Sequence, residues 1–229
     1  MTAPKPSVPL LAPTLLDDEV AALLDAHAPF VPVPFLPALC AWQAVSEVPL
    51  WEALEARCDG PVPPPFFCVA WPGAQVLAWA VTEGLIAVDG QRVVDVGSGS
   101  GLAACAAARA GACAVTAIDV DGHAVASARV LARRHGVQVS GLCLDVLANP
   151  AELPPADVVL VGDLVSSARH ANGFAALVAE VMARGTTLVV ADSGRPFFEP
   201  RGLAPFFSAT LALPGEVDGG AARTVTLYR

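Results

Sequence analysis

The chain has 229 residues, of which 55% are hydrophobic and 15% charged, with a formal net charge of -9. That is enough apolar material for one large domain, or a core domain with an N-terminal extension, and it gives little sign of disorder. The acidic balance disfavours nucleic acid as a partner, because no Lys/Arg run offsets it and Arg133-Arg134 is the one adjacent basic pair. The six cysteines (Cys40, Cys58, Cys68, Cys105, Cys113, Cys143) form no C-x-x-C pair and the four histidines are scattered, so no metal site is expected. Each cysteine sits in an apolar stretch, which reads as buried reduced thiols and a cytoplasmic setting. No apolar run has the context of a membrane span, so no membrane partner is expected.

In chain order, Met1 to Pro13 reads as a loosely held tail. Asp17-Asp18-Glu19 followed by Val20, Leu23 and Leu24 predicts an amphipathic helix ending near Pro29. Alternating prolines force Phe30 to Pro37 to be extended. A second helix is expected over Pro49 to Ala56. Asp59-Gly60 and the prolines from Pro61 to Pro65 mark the junction, giving an extension over 1–60 and a core over 61–229. Phe66 to Trp71 is expected to be extended, and Pro72-Gly73 to open a helix running through Leu85.

From there, strand and helix signals alternate. Strands are expected at Arg92–Val96, Ala114–Asp119, Val137–Leu144, Val158–Gly162 and Thr187–Ala191. Helices are expected at Gly101–Ala110, His123–His135 and Gly173–Ala183. Two strands, Phe206–Leu213 and Arg223–Tyr228, close the chain around a turn at Pro214 to Gly220. Repeated strand–helix units predict parallel strands joined by right-handed crossovers. The final pair, with no helix between them, departs from that repeat. The expected fold is therefore α/β, a Rossmann-like doubly wound seven-stranded sheet with one antiparallel edge strand and a short helical N-terminal extension.

The chemistry concentrates at the predicted strand ends. Val93-Val94-Asp95-Val96 runs into Gly97-Ser98-Gly99-Ser100-Gly101 and then into an Ala-rich helix. Glycines there remove Cβ and allow positive φ, so a ligand can approach the backbone at a helix N-terminus. A P-loop needs Gly-Lys-Ser/Thr, and no Lys is present. A nucleophile elbow needs Ser where Gly99 stands. The dinucleotide spacing G-x-G-x-x-G is missed, because the third glycine comes one position early and Leu102 fills its place. A tight turn without a ligand is the bland alternative. Asp119 ends the next strand, where an acid can accept from both ribose hydroxyls, while Asp121 suits the role of helix cap. Asp145 follows the third strand, either to receive an adenine amino group or as a turn residue before Asn149-Pro150. Asp163 ends the fourth, as the acid that orients a nucleophile or holds its proton, or as a helix cap. Asp192 ends the fifth, facing a substrate pocket. Trp71 either packs in the core or covers a ligand.

The arrangement Asp-x-Gly-x-Gly-x-Gly resembles the S-adenosylmethionine-binding loop of class I methyltransferases. The resemblance then narrows. Pro63 to Gln75 (PPPFFCVAWPGAQ) is similar to the P-P-F-W-A-F-x-W-P-G-G-Q stretch of the electron-transfer flavoprotein β-subunit lysine methyltransferases and their bacterial nicotinamide N-methylase-like relatives. Val94 to Gly101 resembles their V-L-D-L-G-S-G-x-G, Asp192 to Pro196 their D-P-G-R-P, and Val48 to Glu52 the P-L-W segment ahead of the core. The similarity spans roughly Pro37 to Phe198. It implies methyl transfer from S-adenosylmethionine to a nitrogen, with a protein lysine side chain as acceptor. A small-molecule N- or O-acceptor, or a non-catalytic cofactor-binding module, are the competing readings. The implied cofactor-binding set is Trp71, Asp95, Gly97, Ser98, Gly99, Gly101, Asp119, Asp145 and Asp163, with Asp163 also as the catalytic residue. One departure stands out. Relatives carry Tyr or Phe three positions after this acid, where an aromatic walls a lysine channel, but this chain has Ser166. Trp71, Phe197 and Phe198 are the candidates to stand in for it.

Overall fold

The computed structural model describes residues 15–211 and 222–229. The expected tail over Met1 to Pro13 and the expected turn over Pro214 to Gly220 lie outside the described residues. Seven strands form one sheet in the order β5-β4-β3-β6-β7-β9-β8, comprising β3 (Arg92–Val96), β4 (Ala114–Asp119), β5 (Ser140–Cys143), β6 (Val158–Gly162), β7 (Thr187–Asp192), β8 (Pro205–Leu211) and β9 (Arg223–Tyr228). The first five run parallel, and β9 pairs antiparallel with both β7 and β8. The antiparallel pair therefore closes one edge, with β9 inserted between β7 and β8.

Strand spelling follows burial. The central strands β3, β6 and β7 are almost wholly enclosed, and the edge strands β5 and β8 are partly open. Successive residues face opposite sides of a strand, so Val158 and Leu160 join one core while Val159 and Val161 join the other. The first core takes α3 (Pro72–Thr82), α4 (Leu102–Arg109) and α5 (Gly122–Arg134), and the second takes α6 (Ala168–Ala183).

The extension shares the first core through Val20, Leu24, Leu39, Leu50 and Leu54. Its helices α1 (Asp17–His27) and α2 (Val48–Cys58) flank a hairpin of β1 (Phe30–Val33) and β2 (Leu36–Trp42), of which the sequence marked only Phe30 to Pro37, as extended. Ionic contacts fasten it to α5. Asp17 accepts from Arg129 at 3.1 Å and from Arg133 at 2.7 Å, and Arg134 lies 4.6 Å over the Trp42 ring. The two arginines hold the Asp17 carboxyl below its ordinary pKa, the Arg129 hydrogen bond contributing most.

Several local expectations change. Phe66–Cys68 forms a 3-10 turn, because the Cys68 amide returns to Pro65 O at 3.0 Å. α3 stops at Thr82, ahead of Gly84 with φ +74°. β5 starts late because Val137 N donates to Ala132 O and closes α5. α6 begins earlier than expected, with Ser167 capping His170 N. Gly173 sits inside α6 because a Cβ there would lie 2.6 Å from Leu147 Cβ. Not every cysteine is buried. Cys113 lies in the bend before β4 and Cys143 ends the edge strand β5, and both are exposed, while Cys40 is half-buried, although all six are free thiols. Burial pushes the Cys68 and Cys105 thiols up to about 12. Among the described residues, no helix is long and apolar enough to cross a membrane.

Candidate active site

The parallel strands deliver their C-terminal ends to one edge of the sheet, and the loops there carry the acids read from the sequence. After β3, Gly97, Gly99 and Gly101 all have positive φ, at +66°, +49° and +79°. Their surroundings divide the work among them. A Cβ on Gly101 would lie 2.4 Å from Ala128 Cα, so this glycine lets α4 and α5 pack. A Cβ on Gly97 would meet Leu164 Cδ1 at 2.6 Å. Gly99 has nothing within 3.9 Å of that position, so its α-carbon faces open space. Asp95 lies beneath the loop, enclosed by protein, and accepts from Ala104 N at 3.1 Å. Burial raises its pKa to about 7.

Asp119 holds the same loop from β4. Its Oδ2 accepts from Gly99 N and its Oδ1 from Asp121 N, both at 3.0 Å. Desolvation raises it to about 6, against the opposing pull of those amides. Asp121 caps α5, accepting from His123 N at 2.9 Å, as the sequence expected. The Ser98 hydroxyl is buried beside this acid's loop with no hydrogen-bond partner among the described residues. Such a group costs free energy unless something satisfies it. The open face of Gly99, the orphaned Ser98 Oγ and the Asp119 carboxylate together fit the polar edge of a nucleoside-bearing cofactor. Asp145 adopts the turn role, with Oδ1 accepting from Ala148 N at 3.0 Å and Arg169 3.6 Å from Oδ2.

Asp163, after β6, connects two segments that lie far apart in sequence. Its Oδ2 accepts from Gly73 N at 2.7 Å and its Oδ1 from Ser193 N at 2.9 Å. A Cβ on Gly73 would fall 2.9 Å from the Asp163 carboxyl carbon, so only glycine lets the Trp71-Pro72-Gly73 turn settle onto it. Asp163 has a left-handed φ of +49°, which Asp tolerates better than most residues. Asp192, held above its usual range by burial, accepts from Gly194 N at 2.8 Å and Arg195 N at 3.1 Å, shaping the second turn. Trp71 donates to Phe66 O at 2.8 Å, and the Arg195 guanidinium lies 5.3 Å from its ring centroid.

Of the aromatics considered as replacements at Ser166, Phe198 is engaged elsewhere, packed 5.7 Å from Phe174 and 5.2 Å from Tyr228. Phe197 is 45% exposed. Ser166 itself is exposed and lies 3.1 Å from His170 Nδ1. The contact of Gly73 with Asp163, and the side chains of His170 and Arg195, were given no place in the site by the sequence. A glycine's close contact and an arginine's missing partner exist only after folding. Among the described residues, no group of three His, Cys, Asp or Glu side chains is placed to hold a metal ion.

A family model described as "Methyltransferase domain" matches residues 93–185, the stretch from β3 to just past α6. Outside the matched residues, the close contact at Gly73 and the Asp192–Pro196 turn complete the same edge. The chain is 29% identical over 140 residues to the electron transfer flavoprotein beta subunit lysine methyltransferase of Danio rerio, covering 61% of this chain and 54% of that protein. It therefore spans about half the length of the curated relatives it matches. A second relative, the ribosomal protein L11 methyltransferase of Symbiobacterium thermophilum, is 56% identical over 50 residues, 22% of this chain and 16% of its own. Among solved structures, TrmN from Thermus thermophilus superposes with a TM-score of 0.52 at 22% identity, over 67% of this chain and 48% of that one, a likeness of fold.

Proposed function

We propose that this chain is an S-adenosylmethionine-dependent methyltransferase that methylates a nitrogen, with a protein lysine side chain as acceptor. The observation that carries it is the β3 loop, where Gly99 presents a bare α-carbon beside the unpartnered Ser98 hydroxyl and the Asp119 carboxylate. In this reading Asp119 accepts from the ribose hydroxyls with its remaining lone pairs. Gly99 and Ser98 face the methionine portion, Asp145 the adenine edge, and Trp71 covers the opening. Gly97, Gly101 and Asp95 support the loop through the packing described above. The cofactor supplies a methyl group that is already electrophilic, so the protein's part is alignment and exclusion of water.

Asp163 takes a positioning role here. With a backbone amide on each carboxylate oxygen, it fixes the Trp71–Gly73 and Ser193–Arg195 turns around the place where the acceptor nitrogen enters. Support for lysine comes from the similarity to the flavoprotein-subunit lysine methyltransferases. The Ser166 position supports a second reading, a smaller acceptor, because no aromatic wall stands there. The net charge of -9 fits a cationic acceptor better than a polyanion.

The test is methyl transfer from labelled S-adenosylmethionine to the electron transfer flavoprotein β subunit and to cell extract, with mass spectrometry of the product. Label on lysine in protein supports the reading. Label confined to small molecules replaces the acceptor class, and no turnover with intact cofactor binding leaves a binding module. A thermal shift with NAD but not with S-adenosylhomocysteine would overturn the cofactor assignment.

A further inference from the structure

Arg195 has a partly buried side chain, 21% exposed, whose Nε is fully enclosed. No acceptor among the described residues hydrogen-bonds that Nε. The oxygen it faces, Asp163 Oδ1, lies 3.8 Å away, beyond hydrogen-bond range, and already accepts from Ser193 N. Yet the side chain is held. Its own backbone amide is tied to Asp192 Oδ2, its guanidinium rests against Trp71, and Trp71 is locked by Phe66 O and the Phe66 ring. The remaining exposure lies at the outer Nη groups, so a planar donor fork is held with its Nε sealed and its outer nitrogens open to an incoming oxygen.

Sheet order decides which molecule brings that oxygen. Arg195 follows β7, two strands from β3 and on the opposite side from β4 and β5. Neighbouring strands are about 4.8 Å apart, so the β7 end lies about 10 Å from the glycine loop. Asp119 and Asp145, the nucleoside-facing acids, lie the other way. The Arg195 fork thus flanks Asp163 on the acceptor side.

We propose that Arg195 is the residue through which this site recognises its acceptor, its guanidinium receiving a carbonyl or carboxylate oxygen that the acceptor carries near the methyl-receiving nitrogen. The inference rests on the methyltransferase reading above and specifies its substrate. It must carry an oxygen within reach of the amine, as a lysine does when its own or a neighbouring main-chain carbonyl, or an adjacent acidic side chain, enters with it. An isolated aliphatic amine lacks that second point of attachment.

Two measurements on the full-length protein saturated with S-adenosylhomocysteine test this. In the first, the Arg195 Nε–H resonance, assigned by its loss in Arg195→Lys, is followed during titration with acetate and separately with acetamide. The expected result is an Nε–H resonance near the free-arginine position that shifts when an oxygen binds the adjoining Nη–H groups, with acetate alone effective if the oxygen is a carboxylate and both effective if a carbonyl suffices. A resonance already shifted downfield before any addition would overturn the proposal, because Arg195 would then be hydrogen-bonded within the protein. So would no response to either probe.

In the second, initial rates are measured with the electron transfer flavoprotein β subunit, or with the labelled extract protein if that subunit takes no methyl group. Arg195→Met is expected to raise KM at least tenfold with kcat within about threefold and S-adenosylhomocysteine affinity unchanged. Arg195→Lys, which keeps the charge and loses the fork, should fall between, and it serves alone if Arg195→Met does not fold. An unchanged KM in both variants, or an equal loss of S-adenosylhomocysteine affinity, overturns it. Absence of methyl transfer by the wild-type chain overturns the functional reading instead, and the resonance titration still reports on Arg195.

Discussion

Two glycines of one loop should fail in opposite ways when alanine replaces them. Both Gly99 and Gly101 have positive φ, and a left-handed conformation costs an L-residue about 1–2 kcal/mol. At Gly101 the new methyl also meets Ala128 Cα at 2.4 Å and its Cβ at 2.5 Å, both on a packed helix that cannot swing aside. Overpacking of this kind adds about 1–3 kcal/mol. Gly101→Ala should thus lose about 2–5 kcal/mol, and at about 2–4 °C per kcal/mol for a chain of this size, its Tm should fall by roughly 4–20 °C. At Gly99 the methyl finds no atom within 3.9 Å, so only the conformational cost applies and the Tm loss should stay within about 2–8 °C. The same methyl then occupies the space the cofactor needs, and S-adenosylhomocysteine affinity should drop at least tenfold. Differential scanning fluorimetry and isothermal titration calorimetry on the two variants separate these outcomes. Normal affinity in a folded Gly99→Ala protein, or a wild-type Tm for Gly101→Ala, would refute the division of roles.

Three further outcomes follow from the acids. Asp163→Asn places an amide NH2 against one of two backbone donors, at Gly73 N or Ser193 N, so stability should fall by about 1–3 kcal/mol. Turnover should fall about 100-fold while S-adenosylhomocysteine binds normally, and full activity would remove Asp163 from the working site. Asp119 is raised to about 6 by burial, and ribose hydroxyls favour its ionised form, so S-adenosylhomocysteine should bind more tightly as pH rises from 5 to 7, with proton release seen in buffers of different ionisation heat. Asp119→Ala should abolish that dependence and cost about 1–3 kcal/mol of binding. Asp95, raised to about 7, binds its proton more tightly folded than unfolded, so it makes stability decline as pH rises from about 4 to about 7 and then level off. Asp95→Asn should flatten that decline by up to about 3 kcal/mol, read from urea unfolding at pH 5 and pH 8.

Much of the fold was legible because local spelling and tertiary environment agree. Val93-Val94 and Val158 to Val161 are buried on both faces, and an uninterrupted apolar run says so without further help. The glycine loop and the strand-end acids are legible for a related reason. A parallel sheet sends all its C-terminal ends to one edge, so the order of elements already gathers Asp95, Asp119, Asp145, Asp163 and Asp192 there. The β1–β2 hairpin was less legible, because prolines at Pro32 and Pro37 specify extension but not a pairing partner. Gly173 misled the placement of α6, since a glycine stands inside that helix only because Leu147 packs against it across the interface.

The sequence by itself determined the strand–helix alternation, the loop that can receive a ligand and the row of acids beside it. Those are properties of backbone conformation and one-dimensional order. It could not say what each acid does, because a carboxylate's role depends on which donors reach its oxygens. Only the tertiary structure turned Asp163 towards Gly73 N and Ser193 N, enclosed Asp95, left the Gly99 face open and brought the Arg195 guanidinium onto Trp71 without an acceptor for its Nε. Hydrogen-bond satisfaction and close approach are relations between distant segments, and the chain acquires them only when the sheet has closed around them.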